Sequence, residues 1–463
     1  MSVTVKAIEQ TEVIEELQEQ FGNRIKTSTG ACREFGTDES FHGNFPPDAV
    51  FAPHSTEEVA LAVQICAKHK FPVIPYGAGT SLEGHICALH GGLCLNMIEM
   101  NQVLQVNAED LDVVLQPGVT RKQLNSYLKD TGLFFPIDPG ADASLGGMTA
   151  TRASGTNAVR YGTMRENVLS LTVVMADGRV IKTAKRSRKS SAGYDLTRLF
   201  IGSEGTLGVI TEITLRVYGI PEKISSAVVA FPELDRAVNS VITTIQLGIP
   251  IARIELLDDA MMRALNQFSK LEYPEEHTLF LEFHGTENSV QEQVEMVQMI
   301  CEENGGGHFQ WTTRTEERNR LWQARHDAAY AAKAMRPNAQ IWATDVCVPI
   351  SRLAECIMDT QRDIEESNLI APIVGHVGDG NFHLVLLVDH SDPEEEKRAQ
   401  GLHERMVMRA LEMEGTCTGE HGIGYGKMEF LVAEHGDSVA VMRTIKIALD
   451  PDNILNPGKI VRI

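Results

Sequence analysis

The sequence predicts an α+β fold in two domains: a glycine-rich first half, then a second half in which strands and helices alternate. Three observations carry this reading. The chain has 463 residues, 43% of them hydrophobic, which is more than a single core usually holds. Three separated glycine-rich segments lie within residues 76–210. Beyond about residue 221 the periodicity settles into strand–helix repeats with short connections.

In chain order, residues 10–21 read as an amphipathic helix with Val13, Ile14, Leu17 and Phe21 on one face. Ser55 and Glu58 have the spacing of a capping box, and Val59, Ala62, Val63 and Cys66 carry a helix to about Lys70. Phe71–Pro75 is a short apolar strand that enters the glycine-rich loop Tyr76–His85. Strand signals recur at Gly92–Asn96 and Val113–Gln116, and a helix over 119–131 opens at the Gly118-Val119-Thr120 turn. Residues 135–165 lack periodicity, and so long a stretch without elements inside a compact domain is usually functional. Leu169–Ala176 and Arg179–Thr183 flank Asp177-Gly178 as a β-hairpin, and Gly205–Val217 is another strand. Then strands Ser226–Phe231, Arg253–Leu257 and His277–His284 alternate with helices over 233–246, 258–269 and 288–304. Further helices cover 350–366 and 393–414, and 421–463 is loop-rich, then helical. The expected division is 1–220, with its core at 46–220, then 221–420, then a segment 421–463 that returns to the first domain.

Composition narrows the partners. With 42 Lys+Arg against 63 Asp+Glu the net charge is −21, which repels nucleic acid and anionic lipid. The one basic cluster, Lys185-Arg186-Ser187-Arg188-Lys189, reads as a solvated loop. Eight cysteines with no C-x-x-C pair disfavour zinc ribbons, c-type haem and common iron–sulfur centres. Scattered thiols suit a reducing compartment. No run approaches the ~18 apolar residues of a membrane span. Glu9, Glu12, Glu15 and Glu16 argue against a transit peptide, and no signal-peptide core is present. The expected location is cytoplasmic, or peripheral to the inner membrane.

The first glycine-rich segment, Tyr76-Gly77-Ala78-Gly79-Thr80-Ser81-Leu82-Glu83-Gly84-His85, follows a strand. Its glycines let backbone N–H groups approach an anion, and Thr80 and Ser81 add hydroxyls. A pyrophosphate and a purely structural turn are equally good readings, because the spacing is neither Rossmann nor P-loop. The second segment holds Pro139, Gly140, Ser144, Gly146 and Gly147, then Ser154, Gly155, Asn157 and Gly162. The third is Gly202-Ser203-Glu204-Gly205-Thr206-Leu207-Gly208-Val209-Ile210.

In the second half, Gly375-His376-Val377-Gly378-Asp379-Gly380-Asn381-Phe382-His383 sits between the apolar runs Ile370–Val374 and Leu384–Val388. With Asp379-Gly380 as a two-residue type I′ turn, His376 stands directly opposite His383, Cβ atoms about 4.5–5.5 Å apart. Such a pair either shares a metal at ~2.0–2.1 Å from each nitrogen or is two satisfied histidines on a hairpin. Glu420, in the loop Gly419-Glu420-His421-Gly422-Ile423-Gly424, is a third candidate ligand. A His2Glu set with open positions suits Zn or Mn.

The three glycine-rich segments together resemble the FAD-binding domain of the vanillyl-alcohol oxidase/p-cresol methylhydroxylase superfamily. That resemblance implies a PCMH-type, non-Rossmann FAD domain of two subdomains over about 46–220. The loop from Tyr76 to His85 would hold the pyrophosphate. The segments 139–162 and 204–210, including Val209 and Ile210, would line the rest of a non-covalent FAD. The motifs around His376, His383 and Cys417–Gly424, with the ending Asn456-Pro457-Gly458-Lys459, resemble the FAD-linked D-2-hydroxy-acid dehydrogenases, whose cap domain carries an antiparallel sheet. Carried over, His376, His383 and Glu420 are metal ligands, His421 is the catalytic base and Arg325 binds the substrate carboxylate. Asn456 joins the cofactor set.

Positions that grip a second carboxylate in the hydroxyglutarate branch are Ala329, Ala343 and Val385 here. A buried second carboxylate would lack partners. Trp342–Pro349 and Gly415–Gly426 resemble the D-lactate dehydrogenase (cytochrome) branch, with glycolate and D-2-hydroxyglutarate dehydrogenases as alternatives. With no haem or cluster motif in the chain, the expected electron acceptor is external (cytochrome, quinone or flavoprotein), and the resemblance implies a homodimer. Readings from other classes are a flavin-dependent alkyl-transfer synthase, a metal hydrolase and a non-catalytic flavoprotein subunit.

Overall fold

The computed structural model describes residues 3–463, with side chains from Thr11 onward. It divides the chain into two compact units. One comprises 1–154, 163–219 and 420–463; the other comprises 155–162 and 220–419. The sequence assigns 155–162 to the first domain, but this segment groups with the second unit. Its short helix Ala158–Tyr161 packs on strand Ile251–Leu257. Asn157 Oδ1 accepts from Arg253 Nε at 3.1 Å, and Tyr161 Oη lies 2.8 Å from His284 Nδ1.

The first unit contains a parallel three-stranded sheet with Leu93–Asn96 between Ala49–Phe51 and Val73–Tyr76. Leu93, Cys94 and Leu95 are buried, the near-continuous apolar reading expected of a parallel strand covered on both faces. Helix Thr56–Lys68 buries Val59, Ala60, Ala62, Val63, Ile65 and Cys66. Its start is half of the expected capping box. Ser55 Oγ accepts from Glu58 N, but the Glu58 carboxylate accepts from His54 N and from Arg24. The charge-assisted pair with Arg24 wins over the reciprocal cap. Helix Val3–Phe21 buries Val13, Leu17 and Phe21. An antiparallel five-stranded sheet follows in the order Val103–Asn107, Asp112–Leu115, Val209–Arg216, Val168–Val174, Val180–Lys182. Asp177-Gly178 forms its turn, with Gly178 at φ +79°.

Residues 135–165 hold three short helices that the sequence pattern does not announce: Leu145–Thr151, Ala158–Tyr161 and Met164–Asn167. The first contains two poor helix formers, Gly146 and Gly147. Gly146 is required because a Cβ there would meet Pro117 Cβ at 2.5 Å. Close approach overrides propensity at this point.

The second unit is an antiparallel eight-stranded sheet. Its order is Gly307–Thr312, Lys223–Phe231, His277–Gly285, Ile251–Leu257, Ile373–His376, Asn381–Val388, Gln340–Ala343, with Val346–Cys347 also on Asn381–Val388. Helix Leu234–Gln246 buries Leu234, Ala237, Val238, Val241 and Thr244, one face at helical spacing. Each fully buried Leu or Val there contributes roughly 1.5–3 kcal/mol.

The hairpin register differs from expectation. His376 pairs with Asn381, and His383 pairs with Val374. A type I′ turn needs φ > 0 at both central residues, but only Gly380 of the pair takes it, at +80°. The loop therefore spans residues 377–380. The slip is two residues, and side chains alternate with period two. His376 and His383 thus keep a common face as diagonal neighbours instead of direct opposites.

All eight cysteines are free, and seven are buried. Burial pushes the thiols of Cys87, Cys301 and Cys356 up to about 12, which leaves them unreactive. Among the described residues no helix is long and apolar enough to cross a membrane.

Candidate active site

In the first unit, strand Val73–Tyr76 delivers the chain into the loop at 77–82. No backbone N–H of Ala78, Gly79, Thr80 or Ser81 donates to an acceptor among the described residues. These residues are half-buried, and consecutive N–H groups left over in a turn form an anion cradle. Gly77 sits against Ser144 Oγ, which itself accepts from Gly147 N at 3.3 Å. The loop, Ser144 and Gly147 thus meet at one place. Gly79, at φ +75°, has Tyr76 Oη against it. These unpaired donors fit a pyrophosphate, and so fit FAD. Pro139 and Gly140 lie on the approach to that helix, and Gly140 faces open space.

Glu204 organises the other end of this unit. It adopts φ +52°, a left-handed conformation rare outside glycine. Its buried carboxylate accepts from Ile423 N and Gly424 N, both at 2.8 Å. His85 Nε2 lies 3.4 Å from Glu204 Oε1. Burial opposes charge on both groups, yet each outweighs it for the other: His85 is lifted above its ordinary range and Glu204 held below. Asn456 Nδ2 donates to His85 O at 2.9 Å and to Glu204 O at 2.7 Å. Gly205 packs on Pro75, 3.0 Å from a would-be Cβ. Val209 and Ile210 are buried in the sheet, paired with Val174 and Val173.

The loop carrying His421 is fixed by the same network. A Cβ on Gly422 would meet His85 Nε2 at 2.7 Å, and one on Gly424 would overlap Glu83 O. Gly84 receives the ring of Tyr425, which also lies 4.5 Å from the His42 ring. Glu83 is held by Lys427 Nζ at 3.1 Å and lies 4.0 Å from His421 Nδ1. Sequence reading missed Glu83 and Lys427. Both are more than nine-tenths buried, and a charged pair of that kind carries no mark in composition.

In the second unit, Glu255 on strand Ile251–Leu257 is fully buried. Its carboxylate lies 2.7 Å from His376 Nδ1, and it accepts from Arg325 Nε at 3.0 Å and Nη2 at 2.7 Å. Burial raises the Glu255 carboxyl, but the charges of His376 and Arg325 outweigh that and hold it below its usual range. An ionised carboxylate only accepts, so His376 carries its proton on Nδ1 and presents Nε2. On the neighbouring strand, His383 Nδ1 donates to Thr344 O at 2.9 Å. A carbonyl also only accepts, so His383 presents Nε2 as well. One ligand nitrogen of each lies within 4.8 Å of the other, and the rings stand 5.4 Å apart. Such outer partners on both imidazoles are what a metal-binding pair requires.

Asn381 Nδ2 donates to Asp345 Oδ1 and Val346 O, both at 2.7 Å, and Thr418 Oγ1 donates to Asp345 Oδ2 at 2.7 Å. These bonds anchor the chain up to Gly419, and a trans peptide then sets the Glu420 Cα about 3.8 Å further on. Ser154 is buried in the first unit, while Gly155, Asn157 and Gly162 belong to the second. Glu255 was missed by sequence reading; an acid between Ile254 and Leu256 in an apolar strand was its only signal.

A model of the FAD linked oxidase C-terminal domain matches residues 220–460, and one of an FAD binding domain matches 47–184. The chain is 54% identical over 95% of its length to a probable mitochondrial D-lactate dehydrogenase of Danio rerio, of which it covers 89%. The chain belongs to the FAD-linked oxidases. FAD is the cofactor of this FAD-linked oxidase, and the four free N–H groups of its loop suit that group. It is also 48% identical to a mitochondrial D-lactate dehydrogenase [cytochrome] of Arabidopsis thaliana, covering 90% of this chain and 73% of that one. Against glycolate oxidase subunit GlcD of Escherichia coli K12 the identity is 31%, covering 89% and 83%. The structure of p-cresol methylhydroxylase superposes with a TM-score of 0.82 at 18% identity, covering 98% of this chain and 97% of that one. The FAD-linked oxidase thus has the PCMH-type fold that its glycine-rich segments predict.

Proposed function

We propose that this chain oxidises D-lactate to pyruvate and passes the two electrons, through a non-covalent FAD, to an external acceptor. The family and the names of its relatives support the reaction. The observation that carries the site is the double hold of Glu255 on His376 and Arg325, beside the Thr344 hold on His383. That arrangement orders two Nε2 atoms and one guanidinium on a single face.

In this reading Arg325 clamps the substrate carboxylate with the guanidinium edge that Glu255 does not engage. His421 takes the hydroxyl proton as general base. The hydrogen on the carbinol carbon leaves as hydride, which yields the 2-oxo acid. FAD supplies the hydride acceptor when bound. His376, His383 and Glu420 would hold a divalent metal, Zn or Mn, which supplies Lewis acidity toward the hydroxyl. With each Nδ1 engaged by Glu255 or Thr344, Nε2 is the atom each imidazole would offer such an ion.

The acceptor in this reading is a cytochrome, by the names of the relatives, with a quinone or another flavoprotein as the other choices. The free cysteines agree with a reducing compartment such as the cytoplasm. Relatives named mitochondrial make the mitochondrion the alternative, which cell fractionation decides. Glycolate is the second reading, favoured by the glycolate oxidase relatives. The deciding experiment is anaerobic titration of the yellow protein with D-lactate, L-lactate and glycolate. Loss of flavin absorbance with D-lactate alone establishes substrate and stereochemistry. Loss with glycolate alone replaces D-lactate, and loss with none overturns the reading.

A further inference from the structure

An open cleft of about 480 Å³ lies in the second unit beside helix Thr315–His326. Arg318, Asn319, Trp322, Gln323 and His326 line it from one face of that helix, and Arg253 and Glu282 line it from the sheet. Arg253 is compensated and fixed. Its Nε lies 3.5 Å from Glu282 Oε1 and 3.1 Å from Asn157 Oδ1, and its guanidinium stacks 4.6 Å from the Trp322 ring. Trp322 is held in turn by Nε1 donating to Ser226 Oγ at 3.0 Å. Arg318 is different. Among the described residues its side chain makes no ion pair or hydrogen bond, and its Nε is buried. Glu282 is already engaged by His284 at 2.8 Å and Ser226 at 3.1 Å. The cleft therefore holds a surplus positive charge and amide donors, in a chain of net charge −21.

We propose that this cleft is a second oxyanion site, for a carboxylate or phosphate group, with Arg318 as its principal cation. Arg318 lines the cleft with a guanidinium that no acidic group among the described residues pairs, and a carboxylate or phosphate entering the cleft can supply that charge-assisted partner. The site is separate from the one at Arg325. Arg325 lies seven positions beyond Arg318 on the helix, about 10 Å along the axis, so a three-carbon acid cannot reach both. The occupant is either a free anion or the far carboxylate of a longer 2-hydroxy acid.

The test is calorimetric titration of the purified flavoprotein with malonate and with inorganic phosphate at fixed ionic strength. Saturable one-to-one binding is expected, weakened at least tenfold by R318Q and unchanged by R320Q, which removes an equal charge from the same helix. Kinetics identify the source. Phosphate binding that leaves the KM for D-lactate unchanged indicates a free anion. A tenfold rise in KM for a 2-hydroxy diacid in R318Q, with the KM for D-lactate unchanged, indicates the substrate's far end. Either result supports the site. Binding that survives R318Q overturns it, as does an absence of saturable heat together with unchanged KM values in R318Q. The calorimetric readout needs no turnover, so it is independent of the D-lactate reading.

Discussion

Glu255 Oε1 lies 2.7 Å from His376 Nδ1, and its partner oxygen is shared with Arg325. One buried carboxylate therefore sets the tautomer of a proposed metal ligand and the orientation of the proposed substrate clamp. Two functions that sequence assigns to separate motifs depend on a third residue that belongs to neither.

Glu255→Gln is expected to lower metal affinity and kcat/KM together, by about 10–100-fold, the usual effect of removing a ligand's outer partner. Metal analysis after dialysis against a chelator, run beside steady-state kinetics, checks it. Wild-type metal retention with a wild-type rate would show that the carboxylate is structural only.

His421→Ala should reduce kcat by about 10²–10⁴-fold, the range of general-base catalysis. Flavin absorbance should stay at one per chain, because the cradle at 78–81 is untouched. A near-normal rate at neutral pH would remove His421 from the mechanism.

Gly424→Ala places a Cβ into Glu83 O at a residue with φ +51°. Backbone there cannot yield cheaply, and about 1–3 kcal/mol of destabilisation is expected. Denaturant unfolding measures that loss. Activity should fall further than stability explains, since His421 lies three residues away.

Asp258 is buried, and burial pushes its carboxyl up to about 7. The folded state therefore holds a proton that the unfolded state releases near pH 4. Stability from this group is full below pH 4, falls as pH rises to about 7, and is level above that. Asp258→Asn keeps a side-chain acceptor for Met261 N, the cap of helix Asp259–Ser269. The variant should lose the slope between pH 4 and 7 and melt several degrees higher at pH 8. A wild-type slope in the variant would assign the pH dependence elsewhere.

Periodic elements were legible because burial repeats along them. Helix Leu234–Gln246 and strand His277–Gly285 lie within a residue or two of expectation. Non-periodic constraints were hidden. The hairpin register depended on which residues accept positive φ, and the dipeptide Asp379-Gly380 suggested both when only Gly380 does. Helix Leu145–Thr151 forms despite Gly146 and Gly147, with Gly146 packed closely on Pro117. His376 and His383 stood out because histidine is rare in apolar strands. Glu83 and Glu255 did not, because a buried acid is defined by partners far away in sequence.

Asn456 donates to carbonyls at His85 and Glu204, and Glu204 receives the N–H groups of Ile423 and Gly424. Translation therefore imposes an order on assembly. Residues 1–154 and 163–219 leave the ribosome well before their partners at 420–463 exist, and the 200 residues of 220–419 emerge between them. The cofactor-binding half must wait, with Glu204 in its left-handed backbone and a charge to bury, until the whole cap has been made. A chain that stops within 220–419 therefore lacks the N–H groups of Ile423 and Gly424 and the Asn456 amide, and leaves Glu204 without them.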